Sequence, residues 1–328
     1  MNIGTISTSF ITDEFIMALK EEGSFSLTAV YSRTEESAAS FAKKHHAQHY
    51  FTNIEAMATS DVIDCVYVAS PNSMHFEHTI LFLKNKKHVI CEKPMFSNVE
   101  EFNKAYQVAK ENDVYLLEAM RNIPTPGFKL LQENVSKCGT IRSVTLNYAK
   151  YSSRYAKVLQ GEEPNIFSLQ YSGGVLADLG VYPLTIAIAL FGKPIQTTYY
   201  PVKISTGVDG AGTLMLVYPT FICTILCSKI STSHNSSEIQ GEDGTFIIND
   251  MGSLSNITYK ANHTKEEKQL INGYKHHDMM FEVESFFNII KTKDQEKYNM
   301  LEEISRTVLE ITEKSRKEND IIYAADKI

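Results

Sequence analysis

The order of apolar and polar positions changes near the middle of the chain, and the two halves predict different sheets. Up to about Met120, short apolar runs alternate with segments whose apolar residues lie three or four apart, a pattern typical of parallel strands joined by helices. The predicted strands are residues 1–6, 27–31, 62–68, 88–91 and 114–118. The predicted helices are residues 13–22, 37–45, 74–85 and 99–112. This order predicts an α/β domain with a doubly wound parallel sheet of the Rossmann type.

The second half predicts an α+β domain with a large, mostly antiparallel open sheet. Helices are predicted at 128–137, 181–190, 278–292 and 301–317, and strands at 141–151, 197–205, 212–218, 220–229, 237–240 and 245–249. The pairs Asp209-Gly210 and Asp243-Gly244 indicate turns between strands, and Pro219 separates two of the runs. We therefore expect two domains, 1–120 and 121–328. The apolar strands around 214–225 would leave an outer face that needs covering, which favours a homodimer or a higher homo-oligomer.

Composition narrows the class of protein. The net charge is −7 over 328 residues and the hydrophobic fraction is 43%, so neither a nucleic-acid partner nor disorder is indicated. No apolar run approaches the length of a membrane span. Five cysteines, an odd number without zinc-ligand spacing, predict reduced thiols, no metal site and a cytoplasmic location.

The first strand is followed by a segment that resembles a dinucleotide-binding turn without its glycines. In such a turn, glycines let the pyrophosphate approach N–H groups at a helix N-terminus. Here the three glycine or alanine positions fall on Ser7, Ser9 and Thr12. A plain helix N-cap is an equally good interpretation of the serines taken alone. The candidate cofactor-binding residues are Ser7, Thr8, Ser9, Phe10 and Ile11.

The end of the second strand carries a signal for the choice of cofactor. An NAD-binding domain usually places Asp or Glu there to accept hydrogen bonds from the ribose 2′-hydroxyl. This chain has Ser32 and Arg33 instead, a hydroxyl and a guanidinium suited to a 2′-phosphate. These residues predict NADP(H) rather than NAD(H). An ordinary exposed arginine after a strand is the alternative.

Three further segments carry a resemblance to a known family. Pro71-Asn72 followed by His75 comes after one predicted strand, Glu92-Lys93-Pro94 follows the next, and Gly173-Gly174 precedes Asp178-Leu179-Gly180-Val181-Tyr182. Together these segments resemble the glucose-fructose oxidoreductase/inositol dehydrogenase/MocA family. Tyr182 resembles the dihydrodiol dehydrogenase and glucose-fructose oxidoreductase types more than inositol dehydrogenases, which usually carry His there. The resemblance weakens after about Ser205.

The resemblance implies an oxidoreductase with a cofactor domain and a substrate domain. It implies hydride transfer between a nicotinamide and a carbonyl or hydroxyl of a sugar, polyol or cyclic diol. It also implies a cis Lys93-Pro94 bond that aims the lysine at the site. The further cofactor-binding residues that it implies are Ala69, Ser70, Pro71, Asn72, His75, Glu92 and Lys93.

Hydride transfer to a carbonyl needs a proton donor or a positive charge at the developing alkoxide. Lys93 ends a parallel strand, where open α/β sheets bind ligands. Asp178 and Tyr182 are four residues apart, so they are expected to share one helix face. We predict Lys93, Asp178 and Tyr182 as catalytic residues, although an N-cap and a packed aromatic would explain the last two.

Two arginines are weaker candidates. Arg121 and Arg154 offer donors to substrate hydroxyls, although ordinary surface roles suit both. Three functions therefore remain open at this point: an active oxidoreductase, a catalytically inactive NADP-binding regulator, and a cofactor-free sugar-binding protein. The intact Lys93, Asp178 and Tyr182 favour the first, whereas the serine-substituted loop favours the others.

Overall fold

The computed structural model describes residues 1–327, and the first part of the chain builds a parallel sheet. Its six strands are β1 (Asn2–Ile6), β2 (Ser26–Tyr31), β3 (His49–Phe51), β4 (Cys65–Val68), β5 (His88–Glu92) and β6 (Leu116–Ala119). They are all parallel and lie in the order β3-β2-β1-β4-β5-β6. The order reverses between β1 and β4, which is where doubly wound sheets bind ligands. The predicted Rossmann architecture is confirmed.

Five helices connect these strands: α1 (Phe10–Glu22), α2 (Glu35–His45), α3 (Ile54–Thr59), α4 (His75–Lys84) and α5 (Val99–Glu111). Side chains of Thr34, Asn53 and Asn98 cap α2, α3 and α5 by accepting a hydrogen bond from a first-turn N–H group. The sequence pattern missed β3 and α3. Both are short, three and six residues long, so neither leaves a long apolar run.

The segment His276–Glu303 groups with Met1–Met120 to form the first unit, and the second unit consists of Arg121–Lys275 and Ile304–Ile328. This division differs from the expected 1–120 and 121–328. The reason is the packing of helix α9 (Asp278–Thr292) against α1. Phe287 of α9 stacks on Phe25 with ring centroids 3.9 Å apart. The apolar spacing of a helix predicts that one face is buried but does not reveal which sheet that face packs on.

The second unit contains an eight-stranded sheet with the order β14-β13-β12-β11-β7-β10-β9-β8. Its neighbours are antiparallel except β7 and β10, which run parallel. The strands are β7 (Ile141–Ala149), β8 (Gln196–Lys203), β9 (Asp209–Val217), β10 (Ile222–Ser228), β11 (Ser237–Gly241), β12 (Gly244–Ile248), β13 (Asn256–Ala261) and β14 (Glu267–Asn272). The predicted α+β domain with a mostly antiparallel sheet is confirmed.

Three helices lie within this unit, α6 (Pro126–Asn134), α7 (Tyr155–Leu159) and α8 (Val181–Phe191), and α10 (Gln295–Lys317) has residues in both units. The pattern prediction missed the short helix α7 and was wrong in three further features here. Strands β13 and β14 were missed because polar residues interrupt their apolar positions, and β14 is in addition largely exposed. Helix α10 begins six residues before its predicted start. The Asp209-Gly210 pair is not a turn: Asp209 is buried at the start of β9, and the turn lies just before it, at Gly207 with φ +87°.

One face of the eight-stranded sheet is buried and the other is not. Along β9, Leu214 and Leu216 are fully buried whereas Met215 and Val217, which alternate with them, are partly exposed. This is the alternation of a sheet covered on one side. All five cysteines are buried and unpaired. Within residues 1–327, no helix is both long and apolar enough to cross a membrane.

Candidate active site

The turn between β1 and α1 keeps a glycine-like backbone although it contains no glycine. Ser7 adopts φ +97°, a left-handed value that most residues with a Cβ avoid. Its N–H donates to the Tyr31 carbonyl at 3.2 Å, and its Oγ accepts from the Ser9 N–H at 3.1 Å. Thr8 Oγ1 lies 3.5 Å from Ser37 Oγ in the first turn of α2. The serine therefore supplies the tight turn and fixes it with its own side chain.

Helix α1 starts directly after this turn, with Phe10 and Ile11 as its first residues. Ser9 precedes the helix in an extended conformation, and its side chain forms no capping hydrogen bond within the described residues. Phe10 is 75% exposed. First-turn N–H groups and the positive end of the helix dipole suit an anion, so this turn fits the pyrophosphate of a dinucleotide.

The end of β2 places Ser32 and Arg33 where the sequence predicted them. The Ser32 N–H donates to the Phe51 carbonyl at 3.2 Å, which joins this end of β2 to β3. Arg33 is exposed. Thr34 then caps α2. The geometry leaves the Arg33 guanidinium accessible to a ligand, and its assignment to a 2′-phosphate stays a prediction.

The segment after β4 is fixed by backbone contacts to its neighbours. The Ala69 N–H donates to the Ile6 carbonyl at 3.2 Å, which holds this segment beside the end of β1. Pro71 precedes a short 3₁₀ turn, Asn72–Met74, that leads into α4. Ser70 Oγ lies 3.0 Å from His78 Nδ1. The residues predicted from Ala69 to Asn72 thus lie at the ligand-binding edge of the sheet.

His75 is buried rather than displayed to a ligand, with 1% of its surface exposed. Its Nε2 lies 2.8 Å from the Ser70 carbonyl oxygen, and its Nδ1 lies 3.0 Å from the Pro94 carbonyl oxygen. Burial lowers the pKa of His75 to about 4, so the ring is neutral at pH 7 and donates from one nitrogen. In this structure His75 connects the loops after β4 and β5, a supporting position for a residue that we expected at the cofactor.

The Glu92-Lys93-Pro94 segment begins with the last residue of β5 and continues into the loop after it. The predicted cis Lys93-Pro94 bond is present. Glu92 is buried, accepts a short hydrogen bond from the Tyr67 hydroxyl through Oε1, and accepts from the Lys93 N–H through Oε2 at 3.2 Å. Tyr67 stacks on Phe15 of α1 with ring centroids 3.8 Å apart. Glu92 therefore fixes the backbone of Lys93 from the core side.

In the second unit, a buried carboxylate requires glycine at the second position of the Gly173-Gly174 pair. Gly174 has φ +127°, and a Cβ on it would lie 2.0 Å from Asp209 Oδ1. Asp209 Oδ2 accepts from the Tyr199 hydroxyl at 2.6 Å and from the Leu176 N–H at 3.0 Å. Burial raises the pKa of Asp209 to about 6. Asp209 thereby holds the backbone of the turn that leads to Asp178.

Asp178 lies on one π-helical turn, Leu176–Gly180, that continues into α8. Its side chain is 29% exposed and pairs through Oδ2 with Nζ of Lys229, whose own side chain is 3% exposed. The Lys229 ammonium lies 5.1 Å from the centroid of the Phe167 ring. We expected Asp178 to orient Lys93 or the substrate; in the structure its carboxylate has Lys229 as a partner.

Tyr182 is 6% exposed at the start of α8. Its ring packs edge-to-face against Tyr148 at 5.4 Å between centroids, and the Arg121 guanidinium lies 5.7 Å from the ring centroid. Asn122, which is fully buried, donates to the Tyr182 carbonyl at 3.1 Å. The structure thus brings Arg121 and Tyr182 together, both expected site residues.

Among the residues that the structure describes, Arg154 is not in contact with Arg121 or Tyr182. It is exposed and precedes the short helix α7, and its N–H donates to Ser152 Oγ at 3.3 Å. No contact to the other expected residues of this unit involves its side chain within the part of the chain that the structure describes. Its substrate role stays a prediction.

Lys229 and Asp209 are the residues that sequence reasoning missed. Lys229 ends an apolar strand pattern, and a lysine there usually indicates a solvated strand end. Asp209 was interpreted as a turn residue. The useful signal for Asp209 was the Gly173-Gly174 pair, since a glycine at positive φ indicates close approach of another group.

Family models match both units of the chain. The model described as oxidoreductase family, NAD-binding Rossmann fold, matches residues 1–119, and the GFO/IDH/MocA C-terminal domain matches residues 132–247. The chain belongs to the Gfo/Idh/MocA oxidoreductase family. The resemblance that the sequence motifs indicated is therefore confirmed, as is the assignment to the oxidoreductases.

Relatives of the chain include proteins named as dehydrogenases. The chain is 41% identical to scyllo-inositol 2-dehydrogenase (NADP(+)) IolU of Bacillus subtilis over 322 residues, which are 98% of each chain. It is 38% identical to the uncharacterized oxidoreductase YgjR of Escherichia coli, over 100% of this chain and 99% of that protein. A trans-1,2-dihydrobenzene-1,2-diol dehydrogenase of Danio rerio is 28% identical, over 75% of this chain and 73% of that protein. Tyr182 alone does not separate these types.

Solved structures share the fold of this chain. The 3-ketoreductase KijD10 of Actinomadura kijaniata, in complex with NADP and TDP-benzene, superposes with a TM-score of 0.82 at 20% identity and covers 95% of this chain and 96% of its own. An oxidoreductase YvaA of Bacillus subtilis has a TM-score of 0.78 at 18% identity, over 97% of both chains. At these identities the likeness supports the fold.

Proposed function

We propose that this protein is an NADP(H)-dependent dehydrogenase of a polyol, with an inositol or a similar cyclic polyol as substrate. The observation that carries the proposal is the 41% identity, over nearly the whole length, to a relative named as an NADP(+)-dependent scyllo-inositol 2-dehydrogenase. Ser32 and Arg33 at the end of β2 support the choice of NADP(H). Sugars and cyclic diols are the other substrates to be tested.

The residues of the first unit fit the cofactor. Ser7 supplies the tight turn, the N-terminus of α1 supplies N–H donors for the pyrophosphate, and Arg33 is accessible for the 2′-phosphate. When bound, NADP(H) would accept or supply the hydride. Ala69, Ser70, Pro71 and Asn72 would contact it at the edge of the sheet, and Glu92 and His75 would hold that edge in place.

The protein's own residues would handle the proton and the substrate. Reduction of a ketone consumes one hydride and one proton and yields the alcohol, and oxidation of the polyol releases both. We assign proton transfer at the substrate oxygen to Lys93 and Tyr182, and we assign binding of a neighbouring hydroxyl to Asp178. Arg121, which lies near the Tyr182 ring, and Arg154 would donate to further hydroxyls.

Two further features belong to the proposal. The partly exposed face of the eight-stranded sheet, which includes Tyr200, Ile222 and Leu226 at 61%, 45% and 36% exposure, would be covered by a second copy of the chain. Light scattering of the purified protein tests this, and a monomer would contradict it.

Five buried, unpaired cysteines fit a reducing compartment, and so we propose a cytoplasmic location.

The experiment that tests the proposed function has two stages. Fluorescence titration with NADPH and NADH comes first, followed by turnover of scyllo-inositol, myo-inositol, their ketones and a cyclic diol, monitored at the nicotinamide absorbance. We expect tighter binding of NADPH and turnover of at least one inositol. Cofactor binding without turnover would indicate a regulator, and polyol binding without cofactor binding would indicate a sugar-binding protein.

Single-turnover hydride transfer tests whether Lys93 and Tyr182 belong to one catalytic unit. We expect Lys93→Met and Tyr182→Phe each to reduce the rate without weakening NADPH binding, because the lost contact forms with the reacting oxygen. The rate of hydride transfer in the double variant should be only slightly lower than in the slower single variant. Full activity in Tyr182→Phe would remove it from the mechanism, and full activity in both single variants would refute the assignment.

A further inference from the structure

We infer that Lys229 is a positioning residue of this enzyme, which acts on the substrate through Asp178. The inference rests on the proposed function, since it concerns how the polyol hydroxyl is bound. Lys229 follows β10, and its Nζ pairs with Asp178 Oδ2. Only 3% of the Lys229 side chain is exposed, against 29% for Asp178. A ligand can therefore reach the carboxylate, whereas the ammonium is enclosed by protein.

The burial of this lysine calls for a partner. Removing an ammonium group from water is costly unless an anion and good hydrogen-bond geometry compensate for it. The Phe167 ring, whose centroid lies 5.1 Å from Nζ, adds a cation–π attraction. A lysine that only ended a surface strand would extend into water instead. The side chain of Lys229 is thus directed inward to Asp178.

The backbone of Lys229 is fixed on both sides. Its N–H donates to the Gly210 carbonyl at 2.8 Å, and its carbonyl accepts from the Ser152 N–H at 2.9 Å. The preceding strand also touches the π-helical turn, since Cys227 Sγ lies 3.4 Å from the position of a Cβ on Gly180. Lys229 therefore approaches Asp178 from a rigid strand end.

One acidic residue, Asp209, and one basic residue, Lys229, thus hold the turn that carries Asp178. Asp209 of β9 accepts from the Leu176 N–H and fixes the backbone, and Lys229 fixes the carboxylate. A carboxylate with a fixed orientation accepts a substrate hydroxyl without first losing side-chain freedom. This arrangement suits a substrate with a hydroxyl beside the reacting carbon, as in a polyol or its ketone.

The test compares Lys229→Met with Lys193→Met, a matched control that removes a surface ion pair with Glu310 in the same unit. We expect Lys229→Met to lower kcat/KM for the polyol about 10- to 100-fold, and Lys229→Arg to restore part of the loss. NADPH affinity should be unchanged in both. Lys193→Met should behave like the wild type.

A double-variant cycle shows whether Lys229 acts through Asp178. In the Asp178→Asn background, adding Lys229→Met should lower kcat/KM by less than about 3-fold. If Lys229→Met alone does not fold, Lys229→Arg and the doubly neutral variant still supply the comparison. Wild-type kcat/KM in Lys229→Met, or an equal loss in both backgrounds, would overturn the inference. A wild type that neither binds nor turns over any polyol would instead overturn the proposed function and the inference with it.

Discussion

Two turns, one in each unit, meet the same backbone requirement in different ways. Ser7 after β1 and Gly174 before the π-helical turn both adopt positive φ, +97° and +127°. Ser7 tolerates a side chain and uses it to accept from the Ser9 N–H. Gly174 has no room for one, because Asp209 Oδ1 occupies the place of a Cβ. Positive φ alone therefore does not require glycine, whereas positive φ with a buried neighbour does.

Gly174→Ala should have the largest effect. The added Cβ would lie 2.0 Å from Asp209 Oδ1, so the turn or the carboxylate must move, in addition to a backbone cost of about 1–3 kcal/mol. We expect a loss of more than about 3 kcal/mol in the free energy of unfolding. Urea denaturation measures it, and Gly192→Ala, at φ +75° with open space around it, is the matched control. Equal losses in the two variants would show that the Asp209 contact is unimportant.

Asp209→Asn tests the carboxylate side of the same contact through pH. Burial raises the pKa of Asp209 from 3.8 to about 6, so the folded state binds the proton more tightly than the unfolded state. Its contribution to stability is full below about pH 4 and is lost as pH rises to about 6, a change of about 3 kcal/mol. We expect the difference in unfolding free energy between wild type and Asp209→Asn to fall over this window. A constant difference from pH 4 to 7 would contradict the assignment.

Arg33→Ala tests whether the first unit, which contains the Ser7 turn, recognises the 2′-phosphate of NADPH. If the α1 turn binds the pyrophosphate and Arg33 binds the 2′-phosphate, removal of the guanidinium should cost about 1.5–3 kcal/mol for NADPH. That corresponds to about 10- to 150-fold weaker binding, with little change for NADH. Fluorescence titration of both cofactors measures it. Equal losses for both would mean that Arg33 does not recognise the phosphate.

Ser7→Gly should have the smallest effect. Glycine relieves the cost of positive φ but loses the hydrogen bond to the Ser9 N–H, and these terms, each about 1 kcal/mol, oppose each other. We expect unfolding free energy and NADPH affinity within about 1 kcal/mol of the wild type. Ser7→Ala keeps the Cβ and loses the hydrogen bond, so it should be less stable than Ser7→Gly. The reverse order would show that positive φ carries no cost for a residue with a Cβ here, and a Ser7→Ala variant as stable as the wild type would show that the side chain does not fix the turn.

The local pattern was a good guide where the required structure is local. The α9 bounds, residues 278–292, were predicted correctly from the apolar spacing. The cis bond at Lys93-Pro94, which the family resemblance implied, is also present. The pattern failed at β13 and β14, whose polar residues are kept in the sheet by pairing with neighbours. It failed at Asp209 for a related reason, since a turn-forming residue was held in a strand by distant partners.

The sequence by itself determined the family, the order of the strands and helices with a clear apolar pattern, and the presence of Lys93, Asp178 and Tyr182. Each of these depends on apolar periodicity or on residues close together in the chain. Only the tertiary structure decided that Lys229 pairs with Asp178 across 51 positions, that Asp209 forbids a side chain at Gly174, and that His75 lies buried between two loops. A burial cost is set by which groups surround an atom, and neighbours that are distant along the chain leave no local pattern.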